Sequence, residues 1–184
     1  MNKLLLLAIF ISIISSFVVI SSTFAEETNA IAKHIIRFSK VDENLYRGGQ
    51  PDTEGYKLLK EMGIKRVINF RYEKKLVEEE RLQVMAHGME YVHIPWAIFA
   101  RYNNEVFEKF FDAIADRENT PVFFHCKRGS ERTGVAAAAY EIKTHGTSVD
   151  TAFENAKKFD VKFIWAPFVK SAIKHFKKHD QNDS

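Results

Sequence analysis

The chain has 184 residues, 46% of them hydrophobic, and a formal net charge of +3. This length suits one domain with a hydrophobic core, and so small a net charge argues against a dedicated nucleic-acid-binding protein. A single cysteine excludes an internal disulfide.

The first 25 residues have the three parts of a secretory signal peptide. Lys3 precedes an apolar run from Leu4 to Ile20, and small residues follow up to Ala25. We predict cleavage after Ala25, which leaves residues 26–184 as a single domain in an exported protein, either periplasmic or secreted. The apolar run is nearly long enough to span a membrane. An uncleaved anchor is therefore the alternative, and we expect membrane contact through that segment alone.

Short apolar segments then alternate with amphipathic ones. Strands are predicted at residues 35–38, 44–47, 66–70, 91–94 and 122–124. Helices are predicted at residues 52–63, 74–86, 104–114, 133–143, 147–159 and 167–179, several of them with a capping Asp, Asn, Ser or Thr at the start or Gly at the end. The alternation indicates an α/β fold with a mostly parallel central sheet and helices on both faces.

The strand Val122-Phe123-Phe124 is apolar on both faces, as a buried parallel strand is. It runs into the sequence His125-Cys126-Lys127-Arg128-Gly129-Ser130-Glu131-Arg132-Thr133-Gly134. In such sheets, ligands bind beyond the carboxyl ends of the strands. The loop can turn its N–H groups inward, and the helix after it adds a positive N-terminal end. This segment therefore predicts an anion-binding site.

Cys126 lies in that positive field, which stabilises a nucleophilic thiolate. His125 acts in the same direction, and the guanidinium of Arg132 can hold two oxygens of one phosphate. We expect Thr133 to donate a hydrogen bond to the sulfur when it leaves. The residues predicted to bind substrate are Lys127, Arg128, Gly129, Ser130, Gly134 and Arg47. We expect no cofactor. We also expect no metal site, because His175 and His179 stand four apart without a third ligand.

This run resembles the signature of the cysteine-dependent protein tyrosine and dual-specificity phosphatase superfamily. Two upstream segments, Leu45-Tyr46-Arg47-Gly48-Gly49-Gln50-Pro51 and Gly63-Ile64-Lys65-Arg66-Val67-Ile68-Asn69-Phe70-Arg71, are similar to its compact bacterial and fungal dual-specificity-like branch. The resemblance implies a dual-specificity-phosphatase-like fold. It also implies hydrolysis of phosphate monoesters through a cysteinyl-phosphate intermediate.

The family normally supplies an aspartate from a separate loop to protonate the leaving oxygen. Residues 93–101 occupy that place here and contain no carboxylate. Glu131 is one candidate, because myotubularin-like lipid phosphatases have an aspartate at the matching position; a surface or capping role is its alternative. Glu105 is the other candidate, although a carboxylate in a first helical turn also stabilises the helix dipole.

Lys127 and Arg128 suit a substrate with more than one phosphate. Arg47 and Arg71 are candidates for the same rim, with a solvated side chain as the alternative for Arg71. The substrate classes considered are phosphoproteins, phosphoinositides and inositol phosphates, and we expect a monomer that binds no nucleic acid. Trp96, Phe99 and Tyr102 either wall the pocket or fill the core.

Two other functions fit parts of the pattern. A phosphate-binding module that has lost catalysis would explain the missing aspartate, but it has no use for Cys126 and Arg132. A rhodanese-like sulfurtransferase also places a cysteine in an anion-binding loop. The leading His125 and the Arg132-Thr133-Gly134 ending favour the phosphatase.

Overall fold

The computed structural model of the protein describes residues 30–97 and 104–181. The predicted signal segment, Phe99 and Tyr102 lie outside the described residues. Five strands form one sheet: β1 Ser39–Asp42, β2 Leu45–Gly48, β3 Arg66–Asn69, β4 Glu90–His93 and β5 Val122–His125. Within residues 30–97 and 104–181, no helix is both long enough and apolar enough to cross a membrane.

The strand order is β1-β2-β5-β3-β4. β1 pairs antiparallel with β2, and the other three pairings are parallel. The prediction of a mostly parallel sheet is therefore confirmed. β5 lies in the middle with all four residues buried, so its carboxyl end opens between the ends of β2 and β3.

The helices follow the predicted segments closely. They are α1 Thr53–Glu61, α2 Lys74–Ala86, α3 Asn104–Ala115, α4 Glu131–His145, α5 Val149–Lys157 and α6 Ala166–Asp180. Asp52 caps α1 by accepting a hydrogen bond from the Gly55 N–H at 2.9 Å. Gly146 ends α4 with a φ of +66°, a conformation that glycine adopts without strain.

The two faces of the sheet are buried against different helices, as predicted. Phe123 and Val67 point to one face and pack in a cluster with residues of α1, α2 and the segment around Ile35. Phe124 and Ile68 point to the other face and join a larger cluster built from α3, α4, α5 and α6. This alternation follows from the two-residue period of a strand.

The strand predicted at residues 35–38 is wrong. Ile35 lies in a turn, where its N–H donates to the carbonyl of Ile31 at 2.9 Å, and Arg37 has a φ of +56° that interrupts any strand. The apolar residues there are core residues supplied by a turn: Ile35 is fully buried, and Phe38 stacks on Tyr46 at 5.8 Å. The first strand begins at Ser39.

Candidate active site

The sequence from Cys126 to Ser130, which we call the anion loop, connects the end of β5 to α4. The helix begins at Glu131, two residues earlier than predicted. Arg132 therefore lies in the first turn of α4, and the loop is short. The anion loop lies at the carboxyl edge of the parallel strands, where sequence analysis predicted the site.

The backbone carbonyls of this segment all accept hydrogen bonds from protein groups around the loop. The pairs are Phe70 N to His125 O at 2.9 Å, His125 Nδ1 to Cys126 O at 3.2 Å, Gln50 N to Lys127 O at 3.2 Å, Arg37 Nη1 to Arg128 O at 2.9 Å, Arg47 Nη2 to Gly129 O at 2.8 Å, and Gly134 N to Ser130 O at 2.7 Å.

This pattern determines where the backbone N–H groups point. In a trans peptide the carbonyl of one residue and the N–H of the next point in opposite directions. The carbonyls of residues 127–129, which are held from outside the loop, therefore turn the N–H groups of residues 128–130 toward its inside. Together with the N-terminus of α4, these groups form a positively polarised concavity suited to a phosphate group.

Gly129 fits this loop for two reasons. Its φ is +69°, which a side chain disfavours, and a Cβ at this position would lie 2.4 Å from both the carbonyl carbon of Gly48 and the nitrogen of Gly49. The loop thus rests directly on the backbone at the end of β2. The predicted need for glycine at this position has a steric cause as well as a conformational one.

Cys126 is the single cysteine in the sequence, and only 3% of its surface is exposed to solvent. Next to it, His125 is fully buried, and its Nε2 lies 2.7 Å from Oε1 of Glu80 in α2. The contact is a close ion pair rather than a linear hydrogen bond. Both ring nitrogens of His125 face an acceptor, since Nδ1 lies 3.2 Å from the carbonyl oxygen of Cys126.

Glu80 was missed by sequence reasoning. It is buried, and its carboxylate accepts from Asn69 Nδ2 and lies near His125, Gln50 and Tyr56. Burial raises the pKa of Glu80, but the charge of His125 and the hydrogen bonds more than offset it, so the net direction is downward. The signal was present in the sequence: Glu80 stands at helical spacing between Val77 and Val84, both of which are buried.

The prediction that Arg47 lies at the rim is wrong. Arg47 is 2% exposed and lies beneath the anion loop, where its guanidinium bonds Gly129 O and stacks 3.7 Å from the Phe159 ring centroid. Burial lowers the pKa of Arg47 to about 10, while the negative charge of Cys126 opposes that shift, so the guanidinium stays charged at neutral pH. The reason for the error is register: position 47 of β2 pairs with Phe124 in the interior of the sheet.

Arg132 and Thr133 lie where the loop enters α4. Arg132 donates to the carbonyl of Phe70 at 3.0 Å, and its guanidinium lies 5.4 Å from the Tyr72 ring centroid. One anchored donor leaves the rest of the guanidinium fork for an anion. The hydroxyl of Thr133 is buried and has no hydrogen-bond partner among the described residues, a state that calls for an explanation in a native structure.

The predicted substrate-binding residues separate into two groups. Lys127 is exposed, and Arg128 is partly exposed with an Nη1 that lies 3.2 Å from Oε1 of Glu131. The side chain of Ser130 faces away from the loop interior and donates to Asp160 O at 2.8 Å, so only its backbone can bind a ligand. Gly134 packs against α5, where an added Cβ would lie 3.4 Å from Ala156 Cβ. Its role is to let two helices approach.

The two candidates for the general acid lie in different surroundings. Glu131 is the first residue of α4, at the edge of the anion loop. Glu105, in the first turn of α3, has an exposed side chain whose Oε1 lies 2.6 Å from Lys109 Nζ. That geometry fits the alternative reading of Glu105 as a helix-stabilising carboxylate.

Three other predicted positions can be placed. Arg71 is buried and donates to Gln50 Oε1 at 2.8 Å, so it is neither a solvated arginine nor a rim residue. Trp96 belongs to the core beside Phe70 and Phe107. His175 Nε2 lies 2.7 Å from Asn104 Oδ1, and within the described ranges no three His, Cys, Asp or Glu residues are grouped as metal ligands.

Comparison with known proteins agrees with this geometry. Residues 13–166 match the family model described as "DSP-PTPase phosphatase fused to NAD+ Kinase". The chain belongs to the DSP-type protein tyrosine phosphatase family. The predicted superfamily and the dual-specificity-phosphatase-like fold are thereby confirmed.

Individual members of this phosphatase family are distant in sequence. Inositol diphosphatase DSP4 of Arabidopsis thaliana is 29% identical over 105 residues, which cover 54% of this chain and 52% of that protein. Dual specificity protein phosphatase TpbA of Pseudomonas aeruginosa is 26% identical over 123 residues, covering 67% of this chain and 54% of TpbA. This chain therefore spans about half the length of the curated relatives it matches.

Solved structures of the family share the fold. The crystal structure of P. aeruginosa TpbA superposes with a TM-score of 0.65 at 22% identity, covering 75% of this chain and 83% of that one. The core catalytic domain of the PP-IP phosphatase SIW14 from S. cerevisiae, in complex with citrate, gives a TM-score of 0.60 at 18% identity and covers 79% and 91%.

Proposed function

We propose that this protein hydrolyses phosphate monoesters through a cysteinyl-phosphate intermediate. The observation that supports this most strongly is that the carbonyls of Lys127, Arg128 and Gly129 each accept a hydrogen bond from a distant part of the chain. It turns successive N–H groups inward around the one cysteine. Such a ring of donors stabilises the equatorial oxygens of a transferring phosphoryl group, and a nucleophile beneath it is placed for attack on phosphorus.

In the first step, the Cys126 thiolate attacks phosphorus and the bond from phosphorus to the ester oxygen breaks. The inward N–H groups and Arg132 hold the three equatorial oxygens, where charge spreads in the transition state. Glu131 donates its proton to the leaving oxygen, which departs as an alcohol.

In the second step, water attacks the phosphocysteine and gives a proton to the Glu131 carboxylate. The sulfur–phosphorus bond breaks, inorganic phosphate forms, and the thiolate returns. The buried hydroxyl of Thr133, which lacks a protein partner among the described residues, is the donor we assign to the departing sulfur. This role would explain why that hydroxyl is unpaired.

The proposed substrates are small molecules with several phosphates, such as inositol phosphates or phosphoinositides. Support comes from the charged outer edge of the anion loop, where Lys127 is exposed and Arg128 partly exposed. The relatives named as inositol diphosphatases point the same way. TpbA, a dual-specificity protein phosphatase by name, makes phosphoproteins the alternative class.

The test is hydrolysis of p-nitrophenyl phosphate by the full chain in the presence of a chelator, with vanadate as inhibitor. We expect turnover without added metal, no turnover for Cys126→Ser, and a loss of about 10²–10³-fold for Arg132→Lys. The lysine keeps the charge but loses the two-point grip. A wild-type chain that binds vanadate but releases no phosphate would instead identify a phosphate-binding module.

We also propose that the protein is exported and begins at Glu26 after cleavage. Support comes from the tripartite pattern of residues 1–25. N-terminal sequencing of protein from the native host decides the point, because a chain that starts at Met1 and remains with the membrane fraction would indicate an uncleaved anchor.

A further inference from the structure

The connection between α5 and α6 reaches the outer edge of the anion loop at Asp160. This residue has a φ of +58°, and its backbone carbonyl accepts from the Ser130 hydroxyl at 2.8 Å. This hydrogen bond holds the backbone of Asp160 beside the anion loop. Its side chain is 64% exposed and projects among arginines.

Two guanidinium groups share the carboxylate of Asp160. Arg37 Nη2 and Arg128 Nη2 both contact Oδ2, the second at 3.4 Å. The arginine side chains are much less exposed than the carboxylate, at 24% and 29%. Arg37 also donates to the backbone carbonyl of Arg128 at 2.9 Å, so the two arginines are held together.

This arrangement has the features of a preformed anion site filled by a side chain of the protein. Two partly buried arginines are held together and share the solvent-exposed carboxylate of Asp160, while Arg128 also pairs with Glu131 at 3.2 Å. An exposed carboxylate ion pair contributes little free energy, whereas a phosphate can accept several charge-assisted hydrogen bonds from arginines at once. A phosphate can therefore displace Asp160 while the two arginines stay in place.

We propose that Arg37 and Arg128 form a subsite for a second phosphate of the substrate, and that Asp160 is its internal competitor. The inference rests on the proposed phosphatase function, since the first phosphate occupies the anion loop. It defines the substrate class as a small scaffold with at least two phosphates, either a soluble inositol polyphosphate or a phosphoinositide headgroup. Monophosphates gain nothing from displacing Asp160.

The variant Asp160→Asn tests the competitor. Asparagine keeps the size, keeps the carbonyl that bonds Ser130, and tolerates a positive φ, while it removes the negative charge that Arg37 and Arg128 share. Asp150→Asn is the matched control, because Asp150 is 79% exposed and paired with Lys170 at 2.9 Å, away from the loop. Arg37→Gln removes one of the two cations proposed to bind the second phosphate.

The first readout is binding of inositol hexakisphosphate to the full chain in a Cys126→Ser background, by calorimetry. Adding Asp160→Asn should tighten binding about 3- to 10-fold, adding Arg37→Gln should weaken it by at least as much, and adding Asp150→Asn should change nothing. Unchanged binding with both Asp160→Asn and Arg37→Gln would overturn the subsite.

The second readout is the ratio of kcat/KM for a polyphosphorylated substrate to kcat/KM for p-nitrophenyl phosphate, in chains that keep Cys126. The polyphosphorylated substrates are inositol hexakisphosphate and dioctanoyl phosphatidylinositol bisphosphate. Asp160→Asn should raise this ratio and Arg37→Gln should lower it. A rise with only one of the two substrates supports the subsite and identifies the source of the second phosphate, whereas an unchanged ratio with both contradicts it.

The subsite and the phosphatase function can fail separately. Hydrolysis of p-nitrophenyl phosphate with no response to Asp160→Asn in either readout would retain the function and exclude the subsite. Altered calorimetric affinity, together with a chain that keeps Cys126 and still hydrolyses no phosphate ester, would retain the subsite and exclude the function.

Discussion

The side of the anion loop that faces the core and the side that faces solvent are stabilised in different ways. We call them the inner side and the outer side. On the inner side, Arg47, Glu80 and His125 are all buried: Glu80 pairs with His125, while Arg47 bonds the carbonyl of Gly129 and stacks on Phe159. On the outer side, Arg128 and Asp160 form an ion pair with solvent access. The same loop is therefore supported by buried contacts on one side and by a solvent-accessible ion pair on the other.

This difference separates two tasks. A buried ion pair cannot exchange partners easily, because losing one partner leaves an uncompensated charge in a medium of low dielectric constant. An exposed pair exchanges with ligands at little cost. Under the proposed function, the inner side would fix the geometry that any phosphate ester requires, and the outer side would distinguish one ester from another.

Among the substitutions that test this comparison, replacing Glu131 gives the largest predicted effect. Glu131→Gln should slow hydrolysis of an alkyl or inositol monophosphate by about 10²–10⁴-fold, because the leaving oxygen then lacks its proton donor. Hydrolysis of p-nitrophenyl phosphate, whose leaving group needs no proton, should change far less. Steady-state rates on both substrates measure the contrast.

Glu105→Gln is the control for that comparison. If the dependence on the leaving group appears with Glu105→Gln and not with Glu131→Gln, the acid comes from α3. If neither variant shows it, no side chain proposed here supplies the proton.

The contact between Gly129 and the end of β2 gives the second-largest predicted effect on activity. Gly129→Ala should lower kcat by about 10²-fold or more, because the new Cβ collides with the backbone of Gly48 and Gly49 and displaces the N–H groups. Gly146→Ala separates collision from backbone strain, since Gly146 also has a positive φ but no atom within 4 Å of its Cβ position. That control should cost about 1–2 kcal/mol of stability and keep its activity; equal losses of activity would refute the steric explanation.

Replacing Arg47 gives the third-largest predicted effect on the site. Arg47→Met removes the donor to Gly129 O while it keeps much of the buried volume, and a lost hydrogen bond from a charged group corresponds to about 10- to 10²-fold. We expect vanadate inhibition to weaken by this factor. Arg47→Lys should recover part of the loss, because it restores a positive charge beneath the loop. No recovery would mean that Arg47 acts through packing on Phe159 alone.

Glu80 gives the smallest effect on rate and a distinct pH dependence. Its pKa in the folded chain is lower than its ordinary value of 4.5. Ionised Glu80 therefore contributes stability above that value, and the contribution disappears as the pH falls through the folded pKa. Denaturation of Glu80→Gln should show a deficit of about 1–3 kcal/mol at pH 7 that shrinks on acidification, with only a few-fold change in kcat.

The control for that measurement is Glu79→Gln, on the same helix but exposed. A deficit for Glu80→Gln that stays constant from pH 7 into the acid range would show that the ionised carboxylate contributes nothing through its charge.

Sequence reasoning succeeded where the signal is local. The bounds of α2 match the predicted residues 74–86, and β5 and its loop are read from one continuous run of residues. Arg47 and Glu80 reach that run from distant parts of the chain, and their partners depend on strand register and helix rotation. The turn at residues 35–38 was wrongly predicted as a strand because Arg37 adopts a positive φ, and an arginine gives no indication of that conformation in the sequence.

The anchors of the loop carbonyls also have a consequence for folding. Arg37 and Arg47 bond residues that are 91 and 82 positions later in the chain, and contacts of such separation are costly to close early. A refolding chain can collapse its central strand and helices while the loop still lacks its N-terminal supports. Recovery of enzymatic activity should therefore lag behind recovery of helical circular dichroism, and a cut between Arg37 and Arg47 should abolish catalysis in a chain that remains folded elsewhere.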